Sequence, residues 1–232
     1  SSMTRMNARL NLRQNFLDNQ LKVDLNLAYS NVDDKAPLIS NDVGFEGDLL
    51  GAAIMANPTW PRYYGSQFST TTDNPTSFLE YYSDEANTKR TLINLSGRYT
   101  VNDEISVKLN LGLDKSVGER GGAFSKLMNI GSGVFGNGRG YVSDTETDNQ
   151  LLELTGTYTK DFDNSKLTAL AGFSYQKFSF EGGSAQGWGF ETVDIGEMIG
   201  IVDQSMGAVS SAIGTTFYKY GIDDNDSFYT TY

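Results

Sequence analysis

The 232 residues are 38% hydrophobic, with a mean hydropathy of −0.38 and a formal charge of −11. No apolar run approaches the roughly 18 residues of a membrane helix, which excludes a helical bundle, and the acid excess argues against nucleic acid as a partner. With no Cys and no His, the chain has no disulfide, no thiol or imidazole metal site and no Ser-His-Asp or Cys-His catalytic arrangement.

The first element is a hairpin. Met6, Ala8, Leu10 and Leu12 alternate with Asn7, Arg9, Asn11 and Arg13, and Leu17-Asp18-Asn19-Gln20 reads as a turn. Leu21, Val23, Leu25, Leu27 and Tyr29 then alternate with Lys22, Asp24, Asn26, Ala28 and Ser30. Successive side chains of a strand point to opposite faces, so the hairpin has one apolar and one polar face. A long connection over 31–88 follows, with a short helix predicted over Asp48–Ala56. A second hairpin sets Ile93, Leu95, Gly97, Tyr99 and Val101 on one face, turns at Asn102-Asp103-Glu104, and returns with Ile105, Val107, Leu109, Leu111 and Leu113. After a loop over 115–149, a third presents Leu152, Leu154, Gly156 and Tyr158, turns through Asp161–Ser165, and returns with Leu167, Ala169, Ala171, Phe173 and Tyr175. From 177 onward the pattern predicts loop, until Phe228–Tyr232 suggests the opening of another strand.

Short turns at one end, long loops at the other and strands of about ten residues are the signature of an outer-membrane β-barrel. The predicted fold is all-β: an antiparallel up-and-down transmembrane β-barrel segment of about six strands in three hairpins, with long extracellular loops carrying short helices. Tyr29 and Tyr175 at the loop ends, and Tyr99 and Tyr158 near the turns, suit interfacial girdles. Six strands are fewer than the roughly eight that close such a barrel, and open edges are intolerable in lipid. Residues 1–232 are therefore read as part of a longer barrel domain, with both ends cut. Ser1 leads almost directly into a strand, without the charged start and apolar core of a signal peptide. The strands' basic residues, Arg5, Arg9, Arg13, Lys22, Arg90, Arg98 and Lys108, fit a polar lumen or an ordinary solvated sheet face. A soluble or surface glycan-binding β-sandwich and a passive porin-like barrel are the alternative readings.

An ordered set of segments carries a resemblance. Asp48–Ala56 leads into Asn57-Pro58-Thr59-Trp60-Pro61-Arg62-Tyr63-Tyr64, followed by Asn74-Pro75-Thr76-Ser77-Phe78-Leu79-Glu80 and Lys89-Arg90. Leu95-Ser96-Gly97-Arg98-Tyr99 and Ile105-Ser106-Val107-Lys108-Leu109-Asn110-Leu111-Gly112 complete it. Over about 50–115 the succession resembles the barrel of SusC/RagA-type TonB-dependent transporters of Bacteroidetes outer membranes. The resemblance implies import of oligosaccharides or peptides across the outer membrane, a SusD-like surface lipoprotein as partner, and energy delivered through TonB. No plug domain, TonB box or closing strand is seen in these residues.

Ligand contact is assigned to two groups of loop aromatics, since aromatic faces beside polar groups suit sugar rings or peptide side chains. Trp60, Tyr63 and Tyr64 beside Arg62 form one; Trp188 and Phe190, set among Gly182, Gly183, Gly187 and Gly189, form the other. Packing of loops or of a partner is the competing account for both. Gly131–Gly136 matches G-x-G-x-x-G by letter, but no helix follows, so it reads as a loop. Asp144–Asp148 and Asp223–Asp226 lack the Gly and Glu of an EF-hand and read as acidic loops. Glu46, Asp48, Glu80 and Glu85 show no paired spacing. No catalytic residues, metal site or cofactor are assigned.

Overall fold

The computed structural model describes residues 1–37, 49–59, 75–128, 137–204, 214–222 and 227–231. Eight strands form one antiparallel sheet: β1 (Ser2–Phe16), β2 (Leu21–Lys35), β3 (Tyr82–Thr100), β4 (Ile105–Phe124), β5 (Arg139–Phe162), β6 (Ser165–Trp188), β7 (Gly214–Ile222) and β8 (Ser227–Thr231). Sequence neighbours pair from β1 to β7, and β8 also pairs with β6. Because β7 lies against Phe180–Trp188 and β8 against Phe173–Lys177, the two run end to end along one edge of β6. Among the described residues three short helices interrupt the strands: α1 (Leu49–Met55), α2 (Pro75–Glu80) and α3 (Ile195–Gln204). The sheet is thus the up-and-down antiparallel segment that the alternation predicts, and α1 falls where the sequence placed a helix.

The tight turns follow from local chemistry. Leu17, Asp18 and Asn19 all take positive φ, and the Gln20 amide donates to the Leu17 carbonyl to close the first turn. In the second, the Asn102 side-chain oxygen accepts from the amides of Glu104 and Ile105, an Asx-type closure. The third is tighter than predicted, with only Asp163 and Asn164 between the paired Phe162 and Ser165.

Register joins the three hairpins into one two-sided wall. Leu12, Leu25, Leu95, Leu111, Leu152 and Tyr175 share one row, and Leu109, Leu154 and Phe173 share the next. On the opposite face Arg13, Asp24, Ser96, Asn110, Glu153 and Ser174 form a polar row. Leu95, Leu109, Leu154 and Phe173 remain 37%, 39%, 44% and 37% exposed, so none of the described residues covers the apolar face at this level.

The strands run past the apolar band, which corrects the expected loops. Residues 31–35, 82–88, 115–124, 139–149 and 177–188 are strand, and so are the acids Asp144–Asp148. The reason is a change of outer-face chemistry. The row Tyr29, Thr91, Lys115, Asp148, Ser179 is followed by Asn31, Lys89, Val117, Glu146, Glu181. The apolar alternation stops there while backbone pairing continues.

Above that level the sheet acquires covered apolar residues on both sides. On the outer face Ala123, Val142 and Ala185 pack with Phe190 and with Met198 and Val202 of α3. On the polar face Tyr82 and Phe124 pack with Met128, Phe78 of α2 and Ala52 of α1. The adjacent glycines Gly121 and Gly122 let both layers approach. A Cβ on Gly121 would lie 2.8 Å from Ile199 of α3, and one on Gly122 would lie 2.3 Å from the Tyr141 hydroxyl oxygen.

Candidate functional site

The polar face carries the recognisable chemistry, in three levels. Near the turns, Asn110 donates to Glu153 at 3.0 Å and accepts from Asn94 at 3.2 Å. Midway, Arg90 holds Asp114 with two bonds of 2.9 and 2.7 Å. Between these levels lies a hollow of about 490 Å³ lined by Gly112, Leu92, Leu151 and Phe178 with Asn11, Asn26 and Gln176.

The densest cluster lies at the far, helix-covered end of this face. Asp84, 3% exposed, accepts from Arg120 Nε at 2.8 Å and also from its Nη2. The Tyr82 and Tyr141 hydroxyls donate to the same carboxylate at 3.0 and 2.9 Å and lie 3.0 Å from each other. Period two explains the convergence, because Tyr82 and Asp84 share one face of β3, and their neighbours across the sheet include Phe124, Gly122 and Tyr141. Burial works to raise the Asp84 carboxyl. The hydrogen bonds of Arg120, Tyr141 and Tyr82 and the Arg120 charge outweigh it and hold the carboxyl below its usual range. Burial raises both phenols, Tyr141 to about 12. The node is therefore an ion pair, charged at neutral pH and capped by neutral hydroxyls, and its polar groups are used up in holding the strands together.

Beside it stands Arg139, the cross-strand partner of Phe124 and Trp188. Its Nη2 donates to the Gln186 side-chain oxygen at 2.9 Å, and its guanidinium carbon lies 5.8 Å over the Trp188 ring. Its Nε is buried with no hydrogen-bond partner.

The sequence-predicted residues separate. Trp60, Arg62, Tyr63 and Tyr64 lie outside the described residues, as do Gly131–Gly136 and Asp223–Asp226. Trp188 ends β6 rather than sitting in a loop, and the register puts it on the polar face. Phe190 is 4% exposed and packs under α3 on the outer side, so its ring serves the core and does not share a site with Trp188. Asp84, Arg120, Tyr141, Arg139 and Gln186 escaped the sequence reading because they fall in segments taken for loops. The alternation of Tyr82 with Asp84, and of Arg139 with Tyr141, was the available signal.

An up-and-down antiparallel sheet with one uncovered apolar face and one polar face defines a wall segment. Solved structures supply its match. The chain is similar to the RagAB peptide importer in its closed-closed state, with a TM-score of 0.71 and 16% identity over 99% of this chain and 25% of that one. It is similar to the same importer in its open-open state (TM-score 0.69, 16% identity, 94% and 24% covered) and to a structure of the RagAB peptide transporter (0.69, 15%, 94% and 24%). At these identities the likeness is one of fold. The chain spans about a quarter of the length of the chains it matches. No family model and no curated protein matches the sequence.

Proposed function

We propose that these residues form part of the β-barrel wall of an outer-membrane importer of peptides or oligosaccharides, in a Gram-negative, Bacteroidetes-like bacterium. The single observation that carries this reading is the uncovered apolar band. Ile105 to Leu113 spans about 26 Å at 3.3 Å per residue, or about 20 Å across the membrane once the strands tilt, close to the height of a barrel's lipid-facing belt. The polar face then lines the passage, and the helix-covered ends of the strands lie outside the cell. The structural likeness to a peptide importer supports nutrient uptake over a passive pore, and the ordered segments from Asp48 to Gly112 support a SusC-like transporter driven through TonB with a SusD-like lipoprotein on its outer face. Trp60, Arg62, Tyr63, Tyr64 and Trp188 are the proposed contacts for substrate or lipoprotein. No catalytic step is assigned.

Fractionation of cells expressing the intact protein tests the reading. It should remain with outer-membrane lipid after an alkaline carbonate wash, and uptake of its substrate should stop when TonB is deleted. Recovery as a soluble monomer would return the chain to the β-sandwich reading, and uptake that persists without TonB would return it to a passive pore.

A further inference from the structure

The arginines of the polar face are not equivalent. Arg13, Arg90 and Arg120 are each paired with a carboxylate, from Asp24, Asp114 and Asp84, while Arg5, Arg9 and Arg98 are exposed to solvent. Arg139 is half-buried and has none: among the described residues its partners are the neutral amide of Gln186 and the face of Trp188, and its Nε is buried and unpaired. A partly desolvated guanidinium gains from a counter-charge that a neutral amide does not supply. The packing also holds the group in one orientation, since Gln186 fixes one edge and Trp188 covers one face. A planar fork fixed in this way matches a planar carboxylate. The acids around it are placed or committed elsewhere: Asp84 pairs with Arg120, and Asp144 and Glu146, the nearest along the chain, lie on the opposite face of β5, Glu146 paired with Lys115.

We propose that Arg139, positioned by Gln186 and Trp188, receives a carboxylate of a peptide substrate at the outer mouth of the passage. This rests on the importer reading above and adds to it the substrate group that is recognised. The carboxylate has two sources, the peptide's C-terminus or an Asp or Glu side chain.

Binding and uptake by the intact protein would be measured with three versions of one short peptide: capped at both ends, free at the C-terminus, and capped with one internal Asp. The wild-type protein should favour at least one carboxylate-bearing version over the capped one by about tenfold or more, the range of a charge-assisted bidentate pair. The favoured version identifies the source. Arg139→Gln should remove that preference and leave the capped peptide unchanged. Gln186→Glu, which supplies a counter-charge from within while keeping the arginine, should also remove it, and it decides the matter if Arg139→Gln does not assemble. A preference that survives Gln186→Glu and Arg139→Gln, or its absence in the wild type while the capped peptide still binds, would overturn the proposal. Failure of the correctly assembled wild-type protein to bind any of the three would remove peptide import itself.

Discussion

Placing one arginine on each face of the same strand, one residue apart, tests the wall directly. Leu109 lies in the apolar row between Gly97 and Leu154, with Val107 and Leu111 before and after it on the same face. No acid lies in these outer rows. The nearest ionised group on that side is Lys177, in the row of Leu113 and about 13 Å away along the strands at 3.3 Å per residue; Glu104 and Lys115 are farther, and all are beyond the reach of a snorkelling guanidinium. Leu109→Arg should therefore cost about 2–4 kcal/mol of folding stability in a bilayer, the range for a charge at the midplane of a barrel's lipid face. Asn110 faces the other way, with Glu153 as its acceptor at 3.0 Å. Asn110→Arg exchanges one neutral–charged hydrogen bond for a solvated ion pair, so its net effect should stay within about 1 kcal/mol. Urea titration of the intact protein folded into vesicles measures both. Equal costs at the two positions, or a larger one at Asn110, would refute the register and with it the barrel.

Four further outcomes follow from the outer end and the sidedness. Asp84→Ala strips the acceptor from Arg120, Tyr82 and Tyr141; because the Arg120 side chain is 54% exposed and can regain water, the loss should be about 2–3 kcal/mol rather than that of a fully buried pair, read as faster amide exchange across α2 and the ends of β3 and β4. The same node sets a pH window: the Asp84 contribution is complete above the ordinary carboxylate range and is lost as pH falls through its lowered pKa, while that of Tyr141 is complete below the ordinary phenol range and is lost as pH rises through about 12, so exchange protection should fail at both extremes and hold between them. Gly122→Ala should displace the Tyr141 ring and cost about 1–3 kcal/mol by overpacking, visible as the same loosening. An epitope inserted near Ser69 should be labelled by antibody on intact cells and one at Asn102 should not; the reverse labelling would invert the topology.

How much was legible depended on what each strand faced. Where one face meets apolar surroundings and the other water, as from Ile93 to Leu113, the period of two is plain, and the hairpins, turns and register could be read directly. The signal failed where both faces became mixed. Lys115, Val117 and Glu119 share the outer face of β4, and Lys115-Ser116-Val117-Gly118-Glu119 has no apolar period, yet it pairs continuously with β5. Only long-range pairing keeps it a strand. Trp188 was mistaken for a loop residue for the same reason: the glycines before it suggested flexibility, whereas Gly182, Gly183 and Gly187 are ladder residues between β5 and β7. Helix α3 was missed because Gly196 and Gly200 lower its propensity, and its stability comes from burying Met198 and Val202 against β4, β5 and β6. β7 had no clear alternation in Thr215-Thr216-Phe217-Tyr218-Lys219-Tyr220, although β8 fell near the strand suggested by Phe228–Tyr232.

The change of environment along each strand explains why the densest polar cluster lies at the helix-covered end. In the proposed barrel the uncovered apolar face from Ile105 to Leu113 would be an advantage, because lipid would cover it and every strand could remain one layer thick. Beyond Lys115 the same strands would stand in water, where a single sheet layer has no core. The sequence answers by burying small outer residues, Ala123, Val142 and Ala185, beneath α3 and by folding α1 and α2 over Tyr82 and Phe124 on the inner side. A sheet covered on both faces is held as a soluble domain is held, by close packing that leaves side chains few alternative rotamers. Asp84, Arg139 and Trp188 lie within that packed region rather than on free loops. Groups fixed in advance lose less freedom when a ligand arrives, so a charge at this rim binds more tightly than the same charge on a mobile loop. In the proposed barrel the strand extensions would make the outer mouth of the wall a rigid platform for recognition, while the band below it would need only the alternation of apolar and polar residues.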